Sequence, residues 1–223
     1  MPVYKQHRLV HIHIPKTGGT AIEEQFFQLD DMTWSNDSWL GEVQRDGRWY
    51  EYQHLTNIEF RRLSDGEFDD FTAFAAIRDP YSRLVSEYLW RSSIANANPD
   101  SFLQSFDTFD AFVRAIPHDI DTNWDQLIAS ADMPTANLLI HTRPQYHYLV
   151  DDSHTINPSI RLLRYEHLKD DLEDFFAPLQ ITNTVVVNPA KRDVGDYFTD
   201  ETISIVNERY QADFARLAYP LWA

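Results

Sequence analysis

Hydrophobic and polar positions alternate along this chain in blocks that switch between a strand-like and a helix-like period. Leu9, Val10, Ile12 and Ile14 form an apolar, β-branched run that stops at Pro15. From Thr20 the period lengthens, with Ile22, Phe26 and Leu29 on one face of a predicted helix that Thr20 can cap. The same switch recurs downstream. Residues 71–77 are a short apolar run suited to a strand covered on both faces, and Asp79-Pro80 then reads as an N-cap followed by proline at the first helical position. Leu84, Val85, Tyr88 and Leu89 give that second helix its buried face.

Further elements follow from the same reading. Residues 48–53 read as a second strand ending near His54, with a helix over 57–63. Asp107 is the expected cap of a helix with Phe109, Phe112, Val113 and Ile116 as its stripe. A helix is expected over about 165–177, and another over about 200–217, where Ile203, Val206, Tyr210, Phe214 and Leu217 keep helical period. Strands alternating with helices imply an α/β fold with a central parallel sheet flanked by helices, and such sheets bind ligands at the carboxyl ends of their strands.

Two segments at such ends carry chemistry. In 11–22, His-Ile-His-Ile-Pro-Lys-Thr-Gly-Gly-Thr-Ala-Ile, a strand meets a glycine turn and a helix start. Glycines let backbone amides close on an oxyanion, the helix start adds unpaired donors, and Lys16 adds a full charge. The turn is no Walker A loop, because that pattern places its lysine after the last glycine whereas Lys16 precedes Gly18 and Gly19. The second segment places Arg78 at the end of the 71–77 strand and Ser86 two turns into the following helix. An arginine fork suits a phosphate, and a serine hydroxyl adds a donor.

In this order the two motifs resemble those of sulfotransferases that use 3′-phosphoadenosine 5′-phosphosulfate (PAPS). The resemblance implies a P-loop-like, three-layer α/β domain over 1–223 in which Lys16, Thr17, Gly18, Gly19, Thr20 and Ala21 surround the 5′-phosphosulfate. It implies that Arg78 and Ser86 hold the 3′-phosphate and that Tyr165 lies near the adenine. It also implies that Lys191 and Arg192 close over the phosphates. Residues 188–192, 197–201 and 210–214 look like the C-terminal part of the carbohydrate branch, which includes the heparan sulfate 2-O-sulfotransferase-like enzymes. The stretch 92–150 matches poorly and reads as a helical insertion on the acceptor side. Within it, Arg143, Gln145 and His147 resemble an acceptor-binding segment.

Sulfuryl transfer requires in-line positioning, stabilisation of the departing oxygen, and removal of a proton from the attacking hydroxyl. Lys16 is the natural leaving-group stabiliser. His54, in Tyr52-Gln53-His54-Leu55-Thr56, is the favoured base and resembles the family's catalytic histidine, with Glu51 or another carboxylate as the alternative. The acceptor expected is a hydroxyl of a glycan or glycoconjugate, and the resemblance calls for no metal. A nucleotide or small-molecule kinase of related architecture, and a nucleotide-binding module without turnover, are the competing classes.

Composition narrows the partners. The 223 residues are 43% hydrophobic with six glycines and eleven prolines, enough for a full core. Nineteen Lys plus Arg against 35 Asp plus Glu leave a net charge of −16, which repels nucleic acid, anionic membranes and heavily sulfated acceptors. With no cysteine, neither a disulfide framework nor a thiolate zinc site is available. No apolar run approaches a membrane span, and residues 1–15 carry charges and histidines where a signal peptide would be apolar. The expected setting is therefore soluble and cytoplasmic, in a bacterium.

Overall fold

The first switch of period produces β1 (Val3–Tyr4), β2 (Leu9–His11) and α1 (Gly19–Leu29) in a computed structural model of the chain. The structure describes all residues except 30, 31, 33, 36, 37, 46, 47, 99 and 186–193, and over 42–49 the backbone alone. By contact these residues gather into two compact units, the first being Met1–Arg45, Trp49–Arg78 and His147–Ala190, the second Asp46–Arg48, Asp79–Tyr146 and Lys191–Ala223.

The first unit holds a four-stranded sheet in the order β1-β2-β5-β6, with β5 at Thr72–Ile77 and β6 at Arg161–Arg164. β2, β5 and β6 run parallel, while the short edge strand β1 is antiparallel to β2. Register places His11 against Phe74 and Ile77 against Arg164, so the three parallel strands end along one edge of the sheet. α1 and α8 (Leu168–Phe176) supply Ile22, Phe26, Leu168, Leu172 and Phe176 to a core shared with Tyr4, Leu9, Phe74 and Leu163. Each fully buried Leu or Phe there contributes about 1.5–3 kcal/mol, which fixes the loops that leave the strand ends.

Residues 48–53 depart from the expected second strand of the parallel sheet. β4 (Arg48–Glu51) pairs with β3 (Glu42–Arg45) in a separate two-stranded sheet, and the chain then makes a 3-10 turn over Tyr52–His54. His54 therefore sits in that turn and does not end a strand. α2 (Asn57–Ser64) begins directly afterwards, closed by a capping box in which the Thr56 side chain accepts from the Glu59 amide and the Glu59 carboxylate accepts from the Thr56 amide.

The second unit contains α3 (Pro80–Ala97), α4 (Phe109–Ala115), α5 (Trp124–Ala129), α6 (Met133–Thr142), α9 (Asp200–Arg209) and α10 (Gln211–Leu217). α7 (Tyr146–Leu149) lies between α6 and β6 in the chain. Asp79 caps α3 as expected, accepting from the Ser82 amide ahead of Pro80. Three expectations shift. Thr108, whose hydroxyl accepts from the Ala111 amide, caps α4 in place of Asp107. The helix expected over 200–217 is two helices, because Tyr210 leaves helical geometry at φ −114°, ψ 21°. α1 starts at Gly19, which puts Thr20 inside the first turn and not at the cap.

One buried polar cluster in this unit is paired internally. Arg91 donates to Glu87 at 2.6 Å and to Asn137 at 2.7 Å, and the Glu87 carboxylate lies 3.0 Å from His141 Nδ1. No helix among the described residues is long and apolar enough to cross a membrane.

Candidate active site

Between β2 and α1 the chain makes a turn with a left-handed step at Lys16 (φ 67°) and another at Gly18 (φ 95°). Glycine tolerates such a backbone, but a lysine there costs about 1–2 kcal/mol. Two contacts hold it. The buried Thr17 hydroxyl donates to the Ile14 carbonyl at 2.8 Å, and Arg78 Nη1 donates to the Lys16 carbonyl at 3.0 Å. With Thr17 Oγ spent on the loop itself, its amide is the group left to meet a ligand. Among the described residues no acceptor meets the amides of Thr17, Gly18, Gly19 or Thr20. The first turn of α1 carries no acidic side chain. Four consecutive donors at a helix start form an anion-binding nest, with the half-buried Lys16 beside it.

Both glycines are required by their neighbours. A Cβ on Gly18 would lie 2.9 Å from Leu168 Cδ2 and 3.2 Å from Tyr165 Cδ2. A Cβ on Gly19 would lie inside the His13 imidazole, 2.7 Å from Cε1 and closer still to Nε2 and Cδ2.

The neighbouring strand ends complete one side of this nest. Arg78 follows β5 and Tyr165 follows β6, and the Arg78 guanidinium stacks 4.0 Å from the centre of the Tyr165 ring. One side chain thus ties the loop to the aromatic face, at a distance where a cation–π contact adds about 0.5–2 kcal/mol.

His54 is 9% exposed and belongs to the same unit. Its Nδ1 lies 2.8 Å from the His13 carbonyl oxygen. A carbonyl only accepts, so Nδ1 carries the proton, and Nε2 is the proton-accepting nitrogen of the neutral ring. The Glu51 carboxylate stands 3.9 Å from that Nε2, where its charge favours the imidazolium a base becomes. Glu51, the alternative base, therefore lies beside the favoured one.

A chain spanning this strand, loop and helix, with these residues at these positions, matches the model of the sulfotransferase family over residues 1–220. The chain belongs to the sulfotransferase family. Its P-loop-like α/β fold is therefore the one described above, and its chemistry is transfer of a sulfuryl group from a nucleotide donor to a hydroxyl. No curated protein and no solved structure matches the chain.

The first unit of this sulfotransferase gathers Lys16, Thr17, Gly18, Gly19, Thr20, Ala21, Arg78 and Tyr165 at its strand ends, and it also contains His54 and the half-buried His147. Ser86 is half-buried on α3 in the second unit. Arg143, also there, stacks its guanidinium 4.0 Å from the Trp124 ring centre. Gln145 is fully buried, and its backbone amide donates to Asp213 at 2.8 Å, which makes it a scaffold for its neighbours. Lys191 and Arg192 lie outside the described residues.

Sequence reasoning passed over His13, Glu23 and Gln53. His13 Nδ1 and Glu23 Oε1 are 2.5 Å apart, both residues are 3% exposed or less, and Gln53 donates to the second Glu23 oxygen at 2.7 Å. Burial pushes the Glu23 carboxyl above the ordinary carboxylate range. The available signal was Glu23 itself, a carboxylate one position from Ile22 and three from Phe26 on the apolar side of α1.

Proposed function

We propose that the protein transfers the sulfuryl group of PAPS to a hydroxyl of a glycan or glycoconjugate, in the manner of the carbohydrate branch of its family. The supporting observation is the convergence, at one sheet edge, of four loop amides that meet no acceptor among the described residues, Lys16, and an arginine that ties the loop to Tyr165. The nest fits a 5′-phosphosulfate, which offers several acceptor oxygens and no donors. Arg78 and Tyr165 suit a 3′-phosphate and a base respectively.

In this reading the acceptor hydroxyl gives its proton to His54 Nε2 as its oxygen bonds to sulfur. The bond from sulfur to the bridging phosphate oxygen breaks, and that oxygen keeps the electron pair. Lys16 and the loop amides neutralise the charge it gains. Glu51 stabilises the imidazolium. Ser86, Lys191 and Arg192 enter as further donor contacts, and Arg143 and His147 as acceptor contacts, through the family resemblance alone.

The test is a thermal-shift titration followed by a transfer assay. 3′-Phosphoadenosine 5′-phosphate (PAP) should stabilise the protein far more than ATP with Mg²⁺, and isotopically labelled PAPS should label a saccharide fraction of cell extracts. Preference for ATP with Mg²⁺ would replace this reading with a kinase.

A further inference from the structure

The buried pair behind the loop is not accounted for by donor contacts or by the proton transfer. His13 touches both halves of the machinery. Its ring lies against Gly19, where a side chain would overlap Nε2 and Cδ2. Its carbonyl oxygen accepts from His54 Nδ1 at 2.8 Å, and the two imidazoles meet edge to face at 4.6 Å. On its other face His13 stacks against His11, with centroids 5.3 Å apart and planes 6° from parallel. Glu23, on α1, holds the ring at 2.5 Å from Nδ1. Gln53, next to His54, in turn holds the second Glu23 oxygen. The chain of contacts therefore runs from the helix that starts at the anion nest, through His13, to the proposed base.

We propose that His13, locked by Glu23, is a positioning residue that sets the height of the phosphate loop beneath Gly19 and fixes the tautomer of His54. This rests on the reading of Lys16, the loop and His54 given above. A buried histidine with a fixed ring suits the task, because a ring cannot shorten or swing as an aliphatic chain would. Gly19 does not occupy the left-handed region, so the imidazole is the obstacle to a side chain there.

Coupling between positions 19 and 23 tests this. Wild type, Gly19→Ala, Glu23→Ala and the double variant are compared by PAP affinity, by melting temperature and by imidazole ¹⁵N spectra. Gly19→Ala should bind PAP at least roughly tenfold more weakly, as overpacking against a fixed ring does. Glu23→Ala releases the ring, so the double variant should recover at least about fivefold of that loss and melt higher than the two single effects predict. His13→Ala in the Gly19→Ala background should give the same recovery and guards against misfolding caused by one relieving variant. In Glu23→Ala the His54 spectrum should lose its single Nδ1–H tautomer, a change that loss of packing elsewhere would not bring about.

Additive losses in both double variants, or an unchanged His54 tautomer in Glu23→Ala, overturn the proposal. Absence of any PAP response in wild type would instead overturn the donor reading. The melting temperatures and the His54 spectra, which need no ligand, would then still decide the role of His13.

Discussion

Arg78 performs two tasks that a nucleotide series can separate. Its Nη1 donates to the Lys16 carbonyl at 3.0 Å, and its guanidinium lies 4.0 Å from the Tyr165 ring centre. The loop it ties down contains Lys16 at φ 67°, a backbone that costs a non-glycine residue about 1–2 kcal/mol. A hydrogen bond from a charged donor contributes about 1.5–3 kcal/mol, and half-burial of Arg78 puts this one at the low end. Removing it leaves the Thr17 bond to Ile14 as the remaining offset described for the strain, and the loop amides then spread over other conformations. Arg78→Ala should therefore weaken AMP, which meets only the 5′ site, by roughly tenfold. PAP should lose a further 1.5–3 kcal/mol or so through its 3′-phosphate, making roughly 10²–10³ in all. Arg78→Lys keeps the charge but not the fork or the stacking, so its AMP loss should match that of alanine. Isothermal titration at fixed ionic strength gives both affinities. Unchanged AMP affinity in Arg78→Ala would show that the bond to Lys16 holds nothing, and equal losses for AMP and PAP would show that Arg78 does not read the 3′-phosphate.

Lys16→Gly removes the ammonium and relieves the strained φ of 67°, so turnover should fall by roughly 10²–10³ while the melting temperature holds or rises; a fall of several degrees would refute the strain argument. His54→Ala should lower turnover by roughly 10²–10⁴ and abolish the acid limb of the rate profile with PAP affinity intact, whereas lost PAP binding would reassign His54 to structure. Burial, and then the neighbouring His13, holds the His11 imidazole well below its ordinary range. Below a pH of about 6.5 the unfolded chain then binds a proton that the folded one refuses, so His11 makes stability fall on acidification by at most about 1.4 kcal/mol per pH unit. Glu23, pushed up by burial, works in the opposite sense, since the folded chain keeps its proton to higher pH. A His11→Phe variant, which keeps the stack on Phe74, removes the His11 share. Because the His11 charge lowers the Glu23 carboxyl, its loss lets Glu23 rise further and shifts the balance in the same direction. The urea midpoint of that variant should fall less than wild type between pH 7 and 5, and an equal fall would refute the assignment.

The turn between β2 and α1 was legible because strand period, proline, lysine and paired glycines meet in one short stretch, and each has a local physical meaning. Asp79-Pro80 was legible for the same reason. Pairing of β4 was not, because a strand's partner is chosen by tertiary packing and leaves no local mark in 48–53. Tyr210 breaks the last helix without glycine or proline, and the apolar stripe runs on because Val206 and Phe214 are buried on either side of the break. Asp107 and Thr108 are adjacent cap formers, and only the backbone of Thr108, at φ −135° and ψ 156°, decides between them. His13 was hidden by its strand. Between Ile12 and Ile14 it reads as one more position of an extended run, and its partner Glu23 lies on the next helix.

The acidity of the chain and the anionic ligand of its site are reconciled by where the donors come from. With 19 Lys plus Arg against 35 Asp plus Glu, a site built from side-chain cations alone would depend on charges that the carboxylates outnumber. A nest of backbone amides needs none, because its field arises from peptide dipoles aligned by the turn and by α1. Those dipoles act at contact range, whereas the repulsion of distant carboxylates is screened beyond about 8 Å at physiological ionic strength. Lys16 and Arg78 then supply charge where it is needed, one beside the nest and one at the adjacent strand end. A long polyanion would meet the acidic surface along its whole length and gain from the nest only once. An arrangement that admits a compact anionic donor in this way discriminates against a heavily sulfated acceptor, and favours a hydroxyl acceptor that arrives with few charges of its own.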